Sequence, residues 1–177
     1  MKTLYTIGHS TRTFEEFLDL LQAHHIQELV DVRTVPQSRH NPQFGQTQLR
    51  TALAHAGIAY IHLKKLGGLR HPSNDSINLG WQNLSFRGYA DYMATPEFQQ
   101  SLQELEDRAA KKTVAIMCAE ALWWRCHRSL IADALTVQNW QVLHIQSRKT
   151  AKHHGLTSFL KVTDGALTYP APGEYEP

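Results

Sequence analysis

The stretch IMCAEALWWRCHR, residues 116–128, holds both cysteines of the chain, two of its four tryptophans, two arginines and a histidine. Its first residues close the apolar run 113–117, which suits a strand buried on both faces. Its last residues lead into Leu130, Ile131, Ala134 and Leu135, which recur at helical spacing. A strand passing through a short polar junction into a helix is the repeating unit of a parallel sheet, so this stretch sets the fold class. Cys118, Ala119 and Glu120 fall at the junction. A helix starting near Ala121 puts Trp123, His127, Leu130, Ile131 and Ala134 on one face, turning His127 inward and Arg125 away.

The same alternation extends outward. Residues 4–7, 28–32, 58–63 and 141–145 read as four more strands, the second, ELVDV, being nearly continuous in apolar character. Thr13 with Glu16 forms a capping box ahead of Phe14, Phe17, Leu18 and Leu21. Gly57 is placed to end a helix over 46–56, and Thr95 with Pro96 opens one reaching Ala110. A short helix is expected through Tyr89 to Met93. Residues 64–86 lack periodicity and are rich in Gly, Pro, Ser and Asn, which marks a long binding or lid loop. Near the end, Asp164-Gly165 between two short apolar runs predicts a β-hairpin. The expectation is one α/β domain over 1–177 with a mainly parallel five-stranded sheet and helices on both faces. Residues 1–147 make its core, and 148–177 form a C-terminal extension with the hairpin.

Bulk composition narrows the functional classes. A chain of 177 residues can bury a full core without staples. A formal charge of +2 excludes a strongly polyelectrolyte-binding composition, although 11 histidines make the protein more basic below about pH 6.5. Two cysteines are too few for a disulfide scaffold. No leader-like apolar run and no stretch near the roughly 18 apolar residues of a membrane span occurs, so a cytoplasmic protein without membrane partners is expected.

Ligands of open parallel sheets bind beyond the carboxyl ends of the strands. Three polar clusters are expected there: His9 and Ser10, then Asp31 and Arg33 with Arg39 nearby, then Cys118 and Glu120. Arginines and a helix start lower a thiol's pKa, which makes Cys118 a candidate nucleophile; the bland alternative is a small buried thiol. Arg33, Arg125 and Arg128 are the candidate sources of positive field. Glu120 and His127 are candidate proton carriers, against the alternatives of a structural Glu–Arg pair and a satisfied core histidine. Asp31 and Arg33 share one side of a strand, as a structural ion pair or a substrate clamp. A metal held by Cys118, Cys126, His127 and His9 is disfavoured, since the cysteine spacing is not that of a zinc knuckle or ribbon. No cofactor motif is present, and nothing fixes an oligomeric state.

IGHSTRTFEEFLDLL (7–21), LVDVRTVPQSRHNPQF (29–44), LGGLR (66–70), FRGYADYM (86–93) and MCAEALWWRCHRSLIADAL (117–135) together resemble the bacterial family called domain of unknown function 488. The resemblance implies a site at His9, Ser10, Asp31, Arg33, Cys118, Glu120, Cys126, His127 and Arg128. A more distant fold-level likeness is to rhodanese and cysteine-phosphatase domains, through Asp31-Val32-Arg33 and Cys118. In those domains the arginine lies nearer the cysteine than Arg125 does here. Their tight loop of N–H groups is also hard to build without a glycine, and none occurs between Cys118 and Arg128.

Two functional classes follow. One is a cysteine-dependent transferase or hydrolase acting on an anionic small molecule or nucleotide, with Cys118, Glu120 and His127 catalytic. Its anion contacts come from His9, Ser10, Asp31, Arg33, Arg39, Arg125 and Arg128. The other is a nucleotide or nucleic-acid binding module without catalysis, using the basic loops and Trp81.

Overall fold

The computed structural model describes residues 2–173. Five strands stand where the apolar runs predict them: β1 (Thr3–Gly8), β2 (Glu28–Asp31), β3 (Ala59–His62), β4 (Val114–Cys118) and β5 (Gln141–Ile145). These five pair with one another in parallel. Between them run α1 (Phe14–Ala23), α2 (Gln46–His55), α3 (Leu84–Tyr92), α4 (Pro96–Lys111) and α5 (Arg128–Val137). The local signals act as expected. Thr13 and Glu16 close a reciprocal capping box, Thr95 caps α4 ahead of Pro96, and Gly57 takes φ 76° after α2.

Period-two alternation builds the two faces. Val114, Ile116 and Cys118 of β4 enter one core with Tyr89, Phe98, Leu102, Leu105, Leu130 and Ile131 from α3, α4 and α5. Ala115 and Met117 enter the other with Phe17, Leu20, Leu21, Leu49 and Leu53 from α1 and α2. Helices therefore cover both faces of the sheet, as the sequence predicts.

The structure differs from the expectation in two places. The sheet has six strands rather than five, because β6 (Ala151–His153) pairs antiparallel with β5 and gives the order β3-β2-β4-β1-β5-β6. Its sequence, AKH, is short and polar, so it carries no hydrophobic period to betray it. Secondly, the helix after β4 starts at Arg128 and not near Ala121. Trp123–Arg125 is a separate turn of 3₁₀ helix, and Cys126 is extended at φ −135°, ψ 150°. The C-terminal hairpin is present as β7 (Lys161–Thr163) and β8 (Ala166–Thr168), joined at Asp164 and Gly165 with φ 52° and 81°. Those are the left-handed values of a two-residue type I′ turn.

Strand order positions the site. The connection after β1 leaves through α1 on one face, and that after β4 leaves through α5 on the other, although β1 and β4 are neighbours. Diverging connections open a crevice at the carboxyl ends of such a strand pair. There the backbone ladder continues past the strands, His9 N–H donating to the Cys118 carbonyl at 2.9 Å and Ser10 N–H to that of Ala119 at 3.0 Å. The approach is so close that a Cβ on Gly8 would stand 1.9 Å from the Glu120 carbonyl oxygen. Gly8→Ala should therefore destabilise the fold by about 3 kcal/mol or more, since a backbone atom must yield. Gly155→Ala, in open space, should change stability by less than about 0.5 kcal/mol. Urea denaturation midpoints of the two variants measure the contrast, and equal midpoints would contradict it.

Candidate functional site

Asp31 and Arg33 leave β2 as a closed ion pair. Arg33 donates from Nε to Oδ1 at 2.9 Å and from one terminal nitrogen to Oδ2 at 2.7 Å, and the same nitrogen reaches the Phe44 carbonyl at 2.8 Å. Tyr60 donates its hydroxyl to Asp31 as well, which with burial pushes the phenol above its usual range. The other terminal nitrogen of Arg33 lies 3.4 Å from His9 Nε2. The Ser10 carbonyl, 2.8 Å from His9 Nδ1, can only accept, so Nδ1 carries the proton and Nε2 accepts from Arg33. The ring stacks on Phe44, and burial holds its pKa below 6.5. His9, Asp31 and Arg33 thus form one satisfied wall.

The thiols lie on the β4 side. Cys118 and Cys126 are both free and buried, and the Cys118 thiol donates to the Glu120 carbonyl at 3.4 Å. Burial opposes ionisation of Cys118, but the neighbouring Cys126 and the Arg128 charge outweigh it and bring its pKa below the ordinary value. The neighbouring Cys118 and burial together push Cys126 well up. The two thiols titrate as a pair in which Cys118 is the more acidic. Cys126 Sγ is also 3.4 Å from His127 Nδ1. His127 Nε2 must donate to the Val32 carbonyl at 2.8 Å, which leaves Nδ1 as an acceptor. Burial lowers His127 to about 4, so the ring is neutral near pH 7.

Arg128 is 1% exposed. One terminal nitrogen donates to the Glu120 and Ala121 carbonyls, both at 3.0 Å, and among the described residues the guanidinium Nε has no partner. Among the described residues no carboxylate contacts it. The junction after β4 thus turns carbonyls inward around a cation, the reverse of an N–H cradle built for an anion.

The other terminal nitrogen of Arg128 starts a chain of side chains. It lies 3.4 Å from Thr6 Oγ1, which is 2.5 Å from His144 Nδ1; His144 Nε2 is 2.8 Å from His154 Nδ1, and His154 Nε2 is 2.7 Å from Asp133 Oδ1. With both imidazoles neutral, every step has one donor and one acceptor, running from guanidinium to carboxylate. Asp133 is fully buried and also accepts from Thr157 N–H and hydroxyl and from the Tyr169 hydroxyl. His144 stacks on Trp123 with ring centroids 4.5 Å apart, and burial drives its pKa down to about 2. None of Thr6, Asp133, His144 and His154 is singled out by local sequence. The one available signal is a histidine on the inward face of strand 141–145.

A cleft of about 330 Å³ opens over these thiols. Of the sequence-predicted residues it brings together Arg33, Cys118, Glu120, Arg125 and His127, joined by Cys126 and by Val35, Leu69 and Phe86. His9, Asp31 and Arg128 are buried outside its lining, Ser10 is off it at φ 50°, and Arg39 is exposed elsewhere. Arg125 is exposed, and no bond from its guanidinium to a described residue competes for it. The Glu120 side chain is exposed and accepts only a long 3.4 Å bond from Leu122 N–H. Trp81 is packed against Phe86, Phe159 and Tyr169. Among the described residues no helix is long and apolar enough to cross a membrane.

Three histidines with pKa values lowered by burial, His9, His127 and His144, bear on stability. Below their ordinary 6.5 the unfolded chain binds protons that the folded chain refuses, so stability is complete above that pH and falls as pH drops. The loss should reach on the order of 2–3 kcal/mol between pH 7 and pH 5.5, and it should continue toward pH 4, where His127 charges in the folded state. Denaturation midpoints across that window measure it, and a flat profile would contradict it.

Comparison with known proteins adds one finding. No curated protein and no solved structure matches the chain. The family model described as Domain of unknown function DUF488 matches residues 13–135, more than half the chain, from the capping box of α1 to the end of the apolar stripe on α5. The match takes in Asp31, Arg33, both thiols, Arg128 and Asp133, and the chain belongs to this family.

Proposed function

We propose that this protein is a cysteine-dependent enzyme, a transferase or hydrolase, that uses Cys118 as nucleophile on a small anionic substrate held in the cleft. The observation that carries this reading is the meeting of Cys118 and Arg128 at the Glu120 carbonyl, 3.4 Å from the thiol sulfur and 3.0 Å from a buried guanidinium that no described carboxylate contacts. The Arg128 charge favours ionisation of this thiol, and the thiolate is the reactive form.

Arg125 supplies the contact for the substrate's anionic group, because its guanidinium is exposed on the cleft wall. Arg33 is committed to Asp31 and His9, so it shapes the wall and does not act as a clamp. Glu120, exposed at the mouth, is placed to activate the water or second substrate that releases the adduct. Val35, Leu69 and Phe86 give the substrate's remaining atoms an apolar wall. Free thiols fit a reducing, cytoplasmic setting.

Alkylation tests the reading directly. Iodoacetamide should label Cys118 before Cys126, with a rate-against-pH midpoint below the ~8.5 of an unperturbed thiol. Anionic iodoacetate should gain on neutral iodoacetamide through Arg125, and Arg125→Ala, a surface change, should remove that gain by several-fold. Slow and equal labelling of both thiols, or a midpoint at the ordinary value, would overturn the assignment of Cys118.

A further inference from the structure

We propose that Cys126 is the resolving thiol of a dithiol site and that the substrate class is a small anionic disulfide, which the protein reduces by thiol–disulfide exchange. The proposal rests on the reading of Cys118 as nucleophile and adds to it a second sulfur, a proton path and a substrate class.

Both cysteines belong to the lining of one cleft. Neither cysteine is disulfide-bonded. A hydrolase or acyl transferase gains nothing from a second thiol beside its nucleophile, since the adduct must await water or an acceptor. For a sulfur adduct the second thiol completes the reaction, because it attacks the first sulfur and expels the remaining thiol. Cys126 also has its own proton acceptor, His127 Nδ1 at 3.4 Å, left free of hydrogen because Nε2 is tied to Val32. Gly68 makes room for that nitrogen, since a Cβ there would lie 2.9 Å from it.

The steps balance as follows. The Cys118 thiolate attacks one sulfur of RSSR, forming Cys118–S–S–R and releasing RS⁻. Cys126 then attacks Cys118 Sγ, its proton leaving by way of His127 Nδ1 to the departing sulfur, so that RSH is released and a Cys118–Cys126 disulfide remains. The substrate gains two electrons and the dithiol loses them. An external thiol must reduce the protein again before the next turnover.

The cleft selects the disulfide by charge and surface. Arg125 meets an anionic group on R, while Val35 and Leu69, exposed by 60% and 76% at the mouth, face its apolar portions. A volume of about 330 Å³ admits a small molecule and not a folded protein's disulfide.

Reduced protein is treated with oxidised glutathione, an anionic disulfide, or with cystamine, a cationic one, then acid-quenched and weighed intact. Wild type should lose two hydrogens, release two thiols per chain and retain no glutathione. Cys126→Ser should stop at one glutathione on Cys118, and Cys118→Ser should react at no more than the rate of a free thiol. Oxidised glutathione should outpace cystamine several-fold, and Arg125→Ala should cancel that advantage. A stable glutathione adduct on wild-type Cys118 would overturn the resolving role of Cys126 while leaving the nucleophile intact. Ready alkylation of Cys118 by iodoacetamide without reaction toward either disulfide would overturn the substrate class alone. Failure of all three reagents would overturn both readings. The wild-type measurements decide the matter even if a variant folds poorly, and melting curves identify such a variant.

Discussion

The Arg128 guanidinium is the constraint around which the carboxyl edge of the sheet is arranged. A buried charge costs several kcal/mol unless hydrogen bonds and opposite charge offset it. Here the offset comes from the Glu120 and Ala121 carbonyls, the Thr6 hydroxyl and, through two imidazoles, Asp133. Those carbonyls face inward only if the chain after β4 stays out of helix, which is why residues 119–127 form a turn of 3₁₀ helix and an extended Cys126 before α5 begins. The same turn carries the Glu120 carbonyl across Gly8, where only a missing side chain leaves room. One charge thus sets the junction's path, its polarity and the field at Cys118.

Most of the fold was legible because its signals are local. The buried strands are apolar runs, α1 carries its capping box, and α4 carries Thr95 ahead of Pro96. The helix start at Arg128 was not, because Trp123, Leu130, Ile131 and Ala134 fit helical spacing whether or not the intervening turn is α-helical. What breaks the helix is the pull of Arg128 on carbonyls seven and eight residues back in the chain. β6 was invisible for a different reason: an edge strand of three polar residues is held by backbone pairing to β5 and needs no side-chain period.

The site divides in the same way. Cys118, Glu120 and Arg33 could be found because strand ends can be found and ligands gather at them, whereas Arg125, expected on a helix and turned away, lies on a 3₁₀ turn that lines the cleft. Asp31 and Arg33 resolve as an ion pair only when Tyr60, Phe44 and His9 arrive from other elements. His127 reached an inward position by a route different from the expected wheel, tied to Val32 from the residue before α5. The chain through Thr6, His144, His154 and Asp133 joins residues up to 138 positions apart, a separation at which spacing carries no information.

That chain also changes the standing of the C-terminal residues. Thr157 and Tyr169 supply three of the four hydrogen bonds to the Asp133 carboxylate, and His154 supplies the fourth. All three lie beyond residue 135, where the family match ends, yet Asp133 is the remote countercharge of Arg128. Loss of those donors would leave a buried carboxylate short of partners and weaken the orientation of each imidazole in turn. Arg128 would then depend more heavily on the Glu120 and Ala121 carbonyls for compensation. The segment that follows the sheet is therefore electrostatically part of the thiol site, although none of its described residues lines the cleft.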